Sequence, residues 1–179
     1  MARERTAGRS RRGWLRWLGA GLAGGLAGCA GIGGSSGETG TGRGTTPVHA
    51  DYETTDVRVT TPDGDPLGSV TAAIADTPGL RYRGLSDTES LPEDRGMLFV
   101  FDDVAERTFV MRGMDFGLDI VYADAERVIT RIHHAPAPGP NEDGNDQRYP
   151  GRGQYVLEVN RGWTTDRSVE AGDVLEFDL

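Results

Sequence analysis

The chain has 179 residues, which allows one domain of ordinary size with a tail, and it carries 28 acidic and 19 basic residues. All of the basic residues are arginine; beyond Cys29 there are 13 of them against 27 acids, a net charge of −14. This acidic body repels phosphate backbones and argues against nucleic-acid binding, and the single cysteine excludes an internal disulfide.

The composition also predicts the environment in which the protein works. An acidic domain that lacks lysine and has few aromatic residues is typical of proteins from extreme halophiles. Carboxylates at such a surface hold water and cations, and concentrated salt screens their mutual repulsion. We therefore expect a halophilic protein.

The first 28 residues predict an export signal. Residues 10–16 read SRRGWLR and closely resemble a twin-arginine signal, with Arg11 and Arg12 as the arginine pair. The weakly apolar segment 14–27 is shorter than the ~20 apolar residues that a membrane-spanning helix needs. A basic head, a short apolar stretch and small residues are together typical of a cleaved signal peptide. The twin-arginine translocase is the expected partner during export.

Cys29 is the expected lipid anchor. The preceding residues complete the sequence L-A-G-C, which matches the lipobox of bacterial and archaeal lipoproteins. In that motif small residues let a peptidase approach the backbone, and the new terminal cysteine carries its lipid on sulfur. The motif predicts a protein held by this lipid at the outer face of the cytoplasmic membrane.

A tether and one domain follow the signal. Residues 29–50 contain the lipidated cysteine and a stretch of mostly glycine, serine and threonine, which cannot bury enough apolar surface to fold. As a flexible coil it would span roughly 25 Å. Residues 51–179 are the expected folded domain.

Short strands separated by turns dominate that domain. The Thr77-Pro78 pair can cap and open one helical stretch through about Leu85. Period-two patterns predict strands at residues 57–60, 70–75, 97–101, 108–111, 118–123, 128–133, 154–159 and 174–177. The expected fold is mainly β: a single antiparallel β sandwich or barrel-like domain with one or two short helices.

The region from residue 74 to residue 177 resembles the DUF192 family, also called UPF0127. The matching elements are Thr77-x-x-x-Arg81-x-x-Gly84-Leu85, Gly96-Met97-Leu98-Phe99-Val100-Phe101, Phe109-x-Met111-Arg112, Leu118-Asp119-Ile120, Tyr155-Val156-Leu157-Glu158 and Ala171-Gly172-Asp173-Val174. The family's usual W-M-K-N-T segment is V-M-R-G-M here, over residues 110–114. The resemblance implies a compact, mainly β fold that is often exported and has no established biochemical activity.

Asp119 is the acid that most needs a partner, because it lies between apolar neighbours on its predicted strand. Arg112 and Arg81 are the expected partners, since a guanidinium can hold a carboxylate through two parallel bonds. One hypothesis is a buried ion pair that fixes the register of the sheet. The other is a pocket for a small polar or anionic ligand, lined by Arg81, Met111, Arg112, Asp119 and Glu158.

No catalytic residue, cofactor or metal site is predicted. Asp119 and Glu158 could in principle form the acid/base pair of a glycosidase, so a surface hydrolase acting on envelope polysaccharide or peptide is the alternative to a binding or envelope-associated module. His133 and His134 are adjacent on a strand and should point to opposite faces. The acidic loop 141–146 lacks the glycine and glutamate positions of a calcium loop.

Overall fold

A computed structural model describes residues 52–86 and 88–179 of the chain. The signal peptide, its Arg11 and Arg12, the anchor Cys29 and the tether, all predicted from the sequence, lie outside the described residues. No helix in the described part is long and apolar enough to cross a membrane.

The described residues form seven strands and two short helices. In chain order these are β1 (Thr54–Thr60), β2 (Pro66–Ala75), α1 (Pro78–Arg83), β3 (Arg95–Val110), β4 (Leu118–Ala123), β5 (Ile129–Ala135), β6 (Arg148–Asn160), α2 (Trp163–Asp166) and β7 (Val174–Glu176). The mainly β, barrel-like fold class predicted from the sequence is confirmed.

The strands form one curled sheet in the order β5-β4-β6-β3-β2-β1-β7. Neighbouring strands are antiparallel except β2 and β3, which run parallel because the connection through α1 brings the chain back to the same end of the sheet. At the two ends of the order, the residue before β5 meets β7 through a bridge between Val128 and Val174. The sheet therefore curls into a half-barrel.

Apolar side chains cover both faces of this sheet. On one face lies the first core cluster, which includes Val57, Val70, Leu98, Val121, Leu157, Trp163 and Leu175. On the other lies the second core cluster, which includes Leu85, Met97, Phe99, Met111, Met114, Ile120, Tyr122 and Val156. Because side chains alternate along a strand, the central strands β4 and β6 supply residues to both clusters.

The helix α1 begins and ends where the sequence provides the signals. The hydroxyl oxygen of Thr77 accepts a hydrogen bond from the amide of Leu80 at 3.3 Å, and Pro78 occupies the first turn. The helix ends before Gly84, whose φ of 54° is costly for any residue with a Cβ. The short helix thus presents Arg81 and Tyr82 beside the second core cluster.

The strand β3 is longer than predicted. The two predicted strands 97–101 and 108–111 are the halves of β3, and its register with β6 shifts between Val100 and Ala105. The distal half of β3 pairs with Arg148–Gly153 of β6 and extends past the end of α1. This extension forms one wall of the cavity described next.

Candidate ligand-binding cavity

A cavity of about 460 Å³ lies between α1, β3 and the segment that follows β3. This volume falls within the range of roughly 300–1,000 Å³ that is common for small-molecule sites. Its lining residues are Pro78, Arg81, Tyr82, Arg83, Gly84, Leu85, Ser86, Phe99, Phe101, Glu106, Arg107, Thr108, Phe109, Val110, Arg112, Met114, Leu118 and Glu158. The cavity thus belongs to the second core cluster's side of the sheet.

Glu158 is the buried acid of this cavity. Its register partners are Met97 on β3 and Ile120 on β4, so its side chain shares their apolar face. Only 4% of Glu158 is exposed, and its carboxyl group makes no hydrogen bond or ion pair with any residue that the structure describes. Burial raises the pKa of Glu158 to about 8, because desolvation disfavours the charged form.

Arg81 and Arg112 contribute positive charge to the cavity. The Nη1 group of Arg81 donates to the carbonyl oxygens of Asp76 and of Val100, the latter at 2.9 Å. The Nη2 group of Arg112 donates to the carbonyl oxygen of Tyr82, and its guanidinium carbon lies 4.1 Å from the centre of the Tyr82 ring. Neither guanidinium has a carboxylate oxygen within 4.0 Å among the described residues. Backbone carbonyls and rings therefore hold two cations that no acid of the described residues pairs with.

Arg107 also lines the cavity, but its contacts are already made. Its Nη2 lies 3.0 Å from a carboxylate oxygen of Asp103, and its Nε donates to the carbonyl oxygen of Gly153 at 3.1 Å. Its guanidinium carbon lies 3.6 Å from the centre of the Phe101 ring. Arg107 therefore fixes the long strand β3 against β6 and has little left to offer a ligand.

Aromatic and aliphatic side chains form the rest of the cavity wall. The rings of Phe99 and Phe109 meet edge to face, with their centres 4.8 Å apart. At the mouth Tyr82 is 73% exposed, which is unusual for so large a ring. None of these aromatic residues was predicted from the sequence to line a pocket, although the period-two spacing of Phe99 and Phe101 in β3 is a signal that could have placed them together on one face.

Asp119 lies outside the cavity, and its predicted pairing with Arg112 or Arg81 is wrong. The carboxylate is fully buried and accepts hydrogen bonds from His134 Nδ1 at 2.7 Å, the Gly162 amide at 3.1 Å and both the amide and hydroxyl of Thr164 at 2.9 and 2.6 Å. Its side chain lies on the first core cluster's face, opposite Arg81 and Arg112. The start of α2 supplies the donors that were expected from arginine.

Met111 also lies outside the predicted pocket, because it is fully buried in the second core cluster. Its amide donates to the carbonyl oxygen of Gly144 at 3.0 Å, and a Cβ at Gly144 would lie 2.0 Å from the Met111 carbonyl oxygen. The acidic loop therefore needs glycine there to hold the segment after β3. Of the five predicted pocket residues, Arg81, Arg112 and Glu158 line the cavity.

The two candidate acids of a hydrolase lie on opposite faces of the sheet. In the pairing of β4 with β6, Asp119 is opposite Val159, and Ile120 is opposite Glu158. Successive residues of a strand point to opposite faces, so the two carboxyl groups do not face one cleft. An acid/base pair made of Asp119 and Glu158 is therefore excluded.

The two histidines point apart, as expected from their adjacent positions. His134 contacts Asp119, whereas His133 Nε2 lies 2.8 Å from the carbonyl oxygen of Pro150 on the other face. Within residues 52–86 and 88–179, no group of three or more histidine, cysteine or acidic residues could hold a metal ion.

A second hollow, of about 590 Å³, lies near β1, β2 and β7. Two pairs form among its polar side chains: Thr71 donates to Asp56 at 2.8 Å, and Arg58 lies 3.6 Å from Glu176. None of the polar residues that line it is buried. The smaller cavity, which contains the buried Glu158, is therefore the better candidate site.

Residues 58–177 match the family model DUF192, described as an uncharacterized ACR. A candidate transcription regulator from Sinorhizobium meliloti has a similar structure, with 26% sequence identity, a TM-score of 0.63, and 70% of this chain and 95% of that chain covered. A protein of unknown function from Novosphingobium aromaticivorans is 25% identical, with a TM-score of 0.60 and coverage of 72% and 88%. No curated protein matches the sequence.

Proposed function

The chain belongs to the DUF192 family, and on that premise we propose that it is an exported lipoprotein whose β domain binds a small ligand in the cavity around Glu158. The observation that supports the binding proposal is that Glu158 is buried and has no hydrogen-bond partner among the described residues. Buried polar groups nearly always have a hydrogen-bond partner, and a carboxyl group that has none in the protein is available to a ligand.

The regulatory role suggested for the Sinorhizobium protein is not carried over to this chain. Its net charge of −14 beyond Cys29 repels a phosphate backbone. The same charge, with arginine as the only basic residue, supports a halophilic origin. In concentrated salt the distance over which the 27 acids repel one another shrinks to about 3 Å. This screening favours a compact acidic domain.

The lipid anchor is the second part of the proposal. The L-A-G-C sequence ending at Cys29 supports lipidation, and the pair Arg11 and Arg12 supports export by the twin-arginine translocase. The tether that follows would hold the cavity roughly 25 Å from the membrane surface. The protein would then sample small molecules at the outer face of the cytoplasmic membrane.

Replacing Cys29 tests the anchor. We expect Cys29→Ser to lose membrane attachment or to accumulate as an uncleaved precursor, because serine has no thiol to carry the lipid. We expect Arg11→Lys with Arg12→Lys to leave the chain inside the cell. Fractionation of cells followed by mass determination of the protein measures both results. Normal membrane attachment of Cys29→Ser, or normal surface levels of the double variant, would contradict the corresponding assignment.

Blocking the cavity tests ligand binding. We expect Thr108→Trp to abolish binding, since Thr108 lines the cavity from an exposed strand position where an aromatic residue is tolerated. Thr165→Trp is the control, because Thr165 is exposed on α2 and does not line the cavity. Ligand-observed NMR with the full chain and a set of small organic acids, amines, alcohols and sugars measures binding. The proposal fails if no compound binds the wild-type protein, or if those that bind also bind Thr108→Trp equally.

A further inference from the structure

The cavity has two chemically different parts. Arg81 and Arg112 form no ion pair with an acid of the described residues, and Glu158 is a buried acid that lies more than 4.0 Å from every arginine nitrogen of those residues. Aromatic and aliphatic side chains occupy the wall that they share. A ligand that matches this cavity therefore has three parts: an anionic group for the arginines, an apolar middle for the wall and a polar group for Glu158.

Resting on the proposed function, we propose that the ligand is an amphipathic organic anion. Its carboxylate binds Arg81 and Arg112, its apolar middle packs against the phenylalanine wall, and an uncharged oxygen beyond that middle accepts a hydrogen bond from Glu158. The class is that of medium-chain or aromatic acids with a second oxygen function, such as a hydroxyl group.

The guanidinium groups are suited to a carboxylate. Each guanidinium has five N–H donors, and the hydrogen bonds of Arg81 and Arg112 to backbone carbonyls use only one nitrogen of each. The contact of Arg112 with the Tyr82 ring fixes the plane of that guanidinium. A pre-positioned guanidinium can hold a carboxylate through two parallel bonds without first losing side-chain freedom.

The cavity wall favours an apolar middle. Eight of the residues that line it have apolar side chains, and they come from α1 and its end, from β3, from the segment after β3 and from β4; among them are Leu85, Phe99, Phe109, Met114 and Leu118. Each methylene group buried against such a wall is expected to increase affinity about fourfold. A purely polar anion would leave this surface without a partner.

Glu158 favours an uncharged oxygen over an ammonium group at the end of the ligand that is opposite its carboxylate. Burial raises the pKa of Glu158 to about 8, so its carboxyl group is neutral at pH 7 and can donate its proton. An ammonium group would instead require this acid to ionise. Tyr122 from β4 interacts electrostatically with Glu158, and the other charged groups that line the same cavity are Glu106 and Arg107 from β3, Arg81 from α1, Arg83 at the end of α1 and Arg112 after β3.

Calorimetry of the full chain at pH 7 and constant salt, with ω-hydroxyoctanoate as the probe, tests the proposal. We expect it to bind about fivefold tighter than octanoate, which lacks the hydrogen bond to Glu158, and at least tenfold tighter than octanediol, which lacks the carboxylate. We expect ω-aminooctanoate to bind more weakly than the hydroxy acid.

Two variants assign the ends of the ligand. We expect Arg112→Gln to weaken both acids about tenfold and to leave octanediol unchanged, with Arg112→Lys intermediate because it keeps the charge but loses the planar fork. We expect Glu158→Met to bring the hydroxy acid down to the affinity of octanoate. Arg148→Gln is the matched control, since Arg148 is exposed and does not line the cavity.

The outcomes separate this proposal from the one on which it rests. Tighter binding of ω-aminooctanoate than of the hydroxy acid, or equal binding of octanediol, overturns the ligand class but leaves a ligand-binding cavity. If none of these octyl probes binds but Thr108→Trp blocks the binding of some other compound, the ligand class is likewise wrong and the ligand-binding cavity stands. If nothing binds the wild-type protein in either experiment, both proposals are wrong.

Discussion

We expect the Glu158→Gln variant to gain stability relative to the wild-type protein as the pH rises from about 4.5 to about 8. The pKa of Glu158 is 4.5 in the unfolded chain and about 8 in the folded protein, because burial disfavours the carboxylate. Between these values the unfolded chain releases a proton that the folded protein retains. Wild-type stability therefore falls with rising pH in this window, and glutamine removes that loss.

The expected size of this effect is of order 5 kcal/mol across the whole window, at about 1.4 kcal/mol for each pH unit. Below about pH 4.5 Glu158 is neutral in both states and contributes no pH dependence. Guanidinium unfolding at several pH values in constant salt measures the difference between the variant and the wild type. Glu126→Gln is the control, because Glu126 is exposed in the turn between β4 and β5. A difference that stays constant from pH 4.5 to 8 would show that Glu158 titrates as an ordinary surface acid.

Asp119→Ala should be among the most destabilising single substitutions in the domain, at a cost of about 3–5 kcal/mol. The carboxylate accepts hydrogen bonds from two backbone amides at the start of α2, from the Thr164 hydroxyl and from His134. Alanine leaves these donors without a partner, and each buried donor so stranded costs about 1–3 kcal/mol. His134 is half exposed and can turn to water, but the buried amide and hydroxyl of Thr164 have no such alternative.

Denaturant unfolding of the full chain in constant high salt measures this loss. Asp115→Ala is the matched control, since Asp115 lies four residues earlier in the chain and is exposed to solvent. Asp119→Asn should fall between the two, because the amide keeps one acceptor oxygen but presents N–H groups to other donors. If Asp119→Ala lowers the free energy of unfolding no more than Asp115→Ala does, the hydrogen bonds between Asp119 and the start of α2 do not stabilise the domain as expected.

The two buried acids of the sheet therefore have opposite roles. Asp119 is saturated with donors, so its removal should damage the fold. Glu158 has no partner among the described residues, so its replacement should stabilise the fold. A group that lowers stability in the absence of a ligand is retained most simply for what it binds, and this contrast distinguishes the candidate site from the architecture around it.

Much of the fold could be predicted from alternation of apolar residues. The strand over residues 118–123 has the predicted bounds, and the helix after Thr77 begins where its cap and proline indicated. The four-residue helix α2 was not predicted, because it is too short to show helical periodicity and its first turn is held by Asp119 rather than by a local cap. The parallel pairing of β2 with β3 also has no signature in the local sequence.

The candidate site was predictable only in part. Arg81, Arg112 and Glu158 could be chosen because charged residues stand out among apolar neighbours in a strand or helix pattern. The partners of Asp119 could not be chosen, because all but His134 belong to Gly162 and Thr164, more than 40 residues later in the chain, and two of them are backbone amides. Sequence patterns show which side chains need partners, whereas backbone donors appear only when distant segments meet.

The pairing of the first strand with the last has a consequence for the timing of synthesis. The hydroxyl of Thr60 on β1 bonds to Glu176 beside it on β7, across 116 residues of chain. At about 5–20 residues per second, a ribosome makes β7 roughly 6–23 s after β1. The half-barrel thus cannot close until β7 has been made, and for those seconds β1 lacks its partner on that edge. If the predicted export signal is used, a translocase that accepts only folded cargo must wait at least as long before it moves this domain.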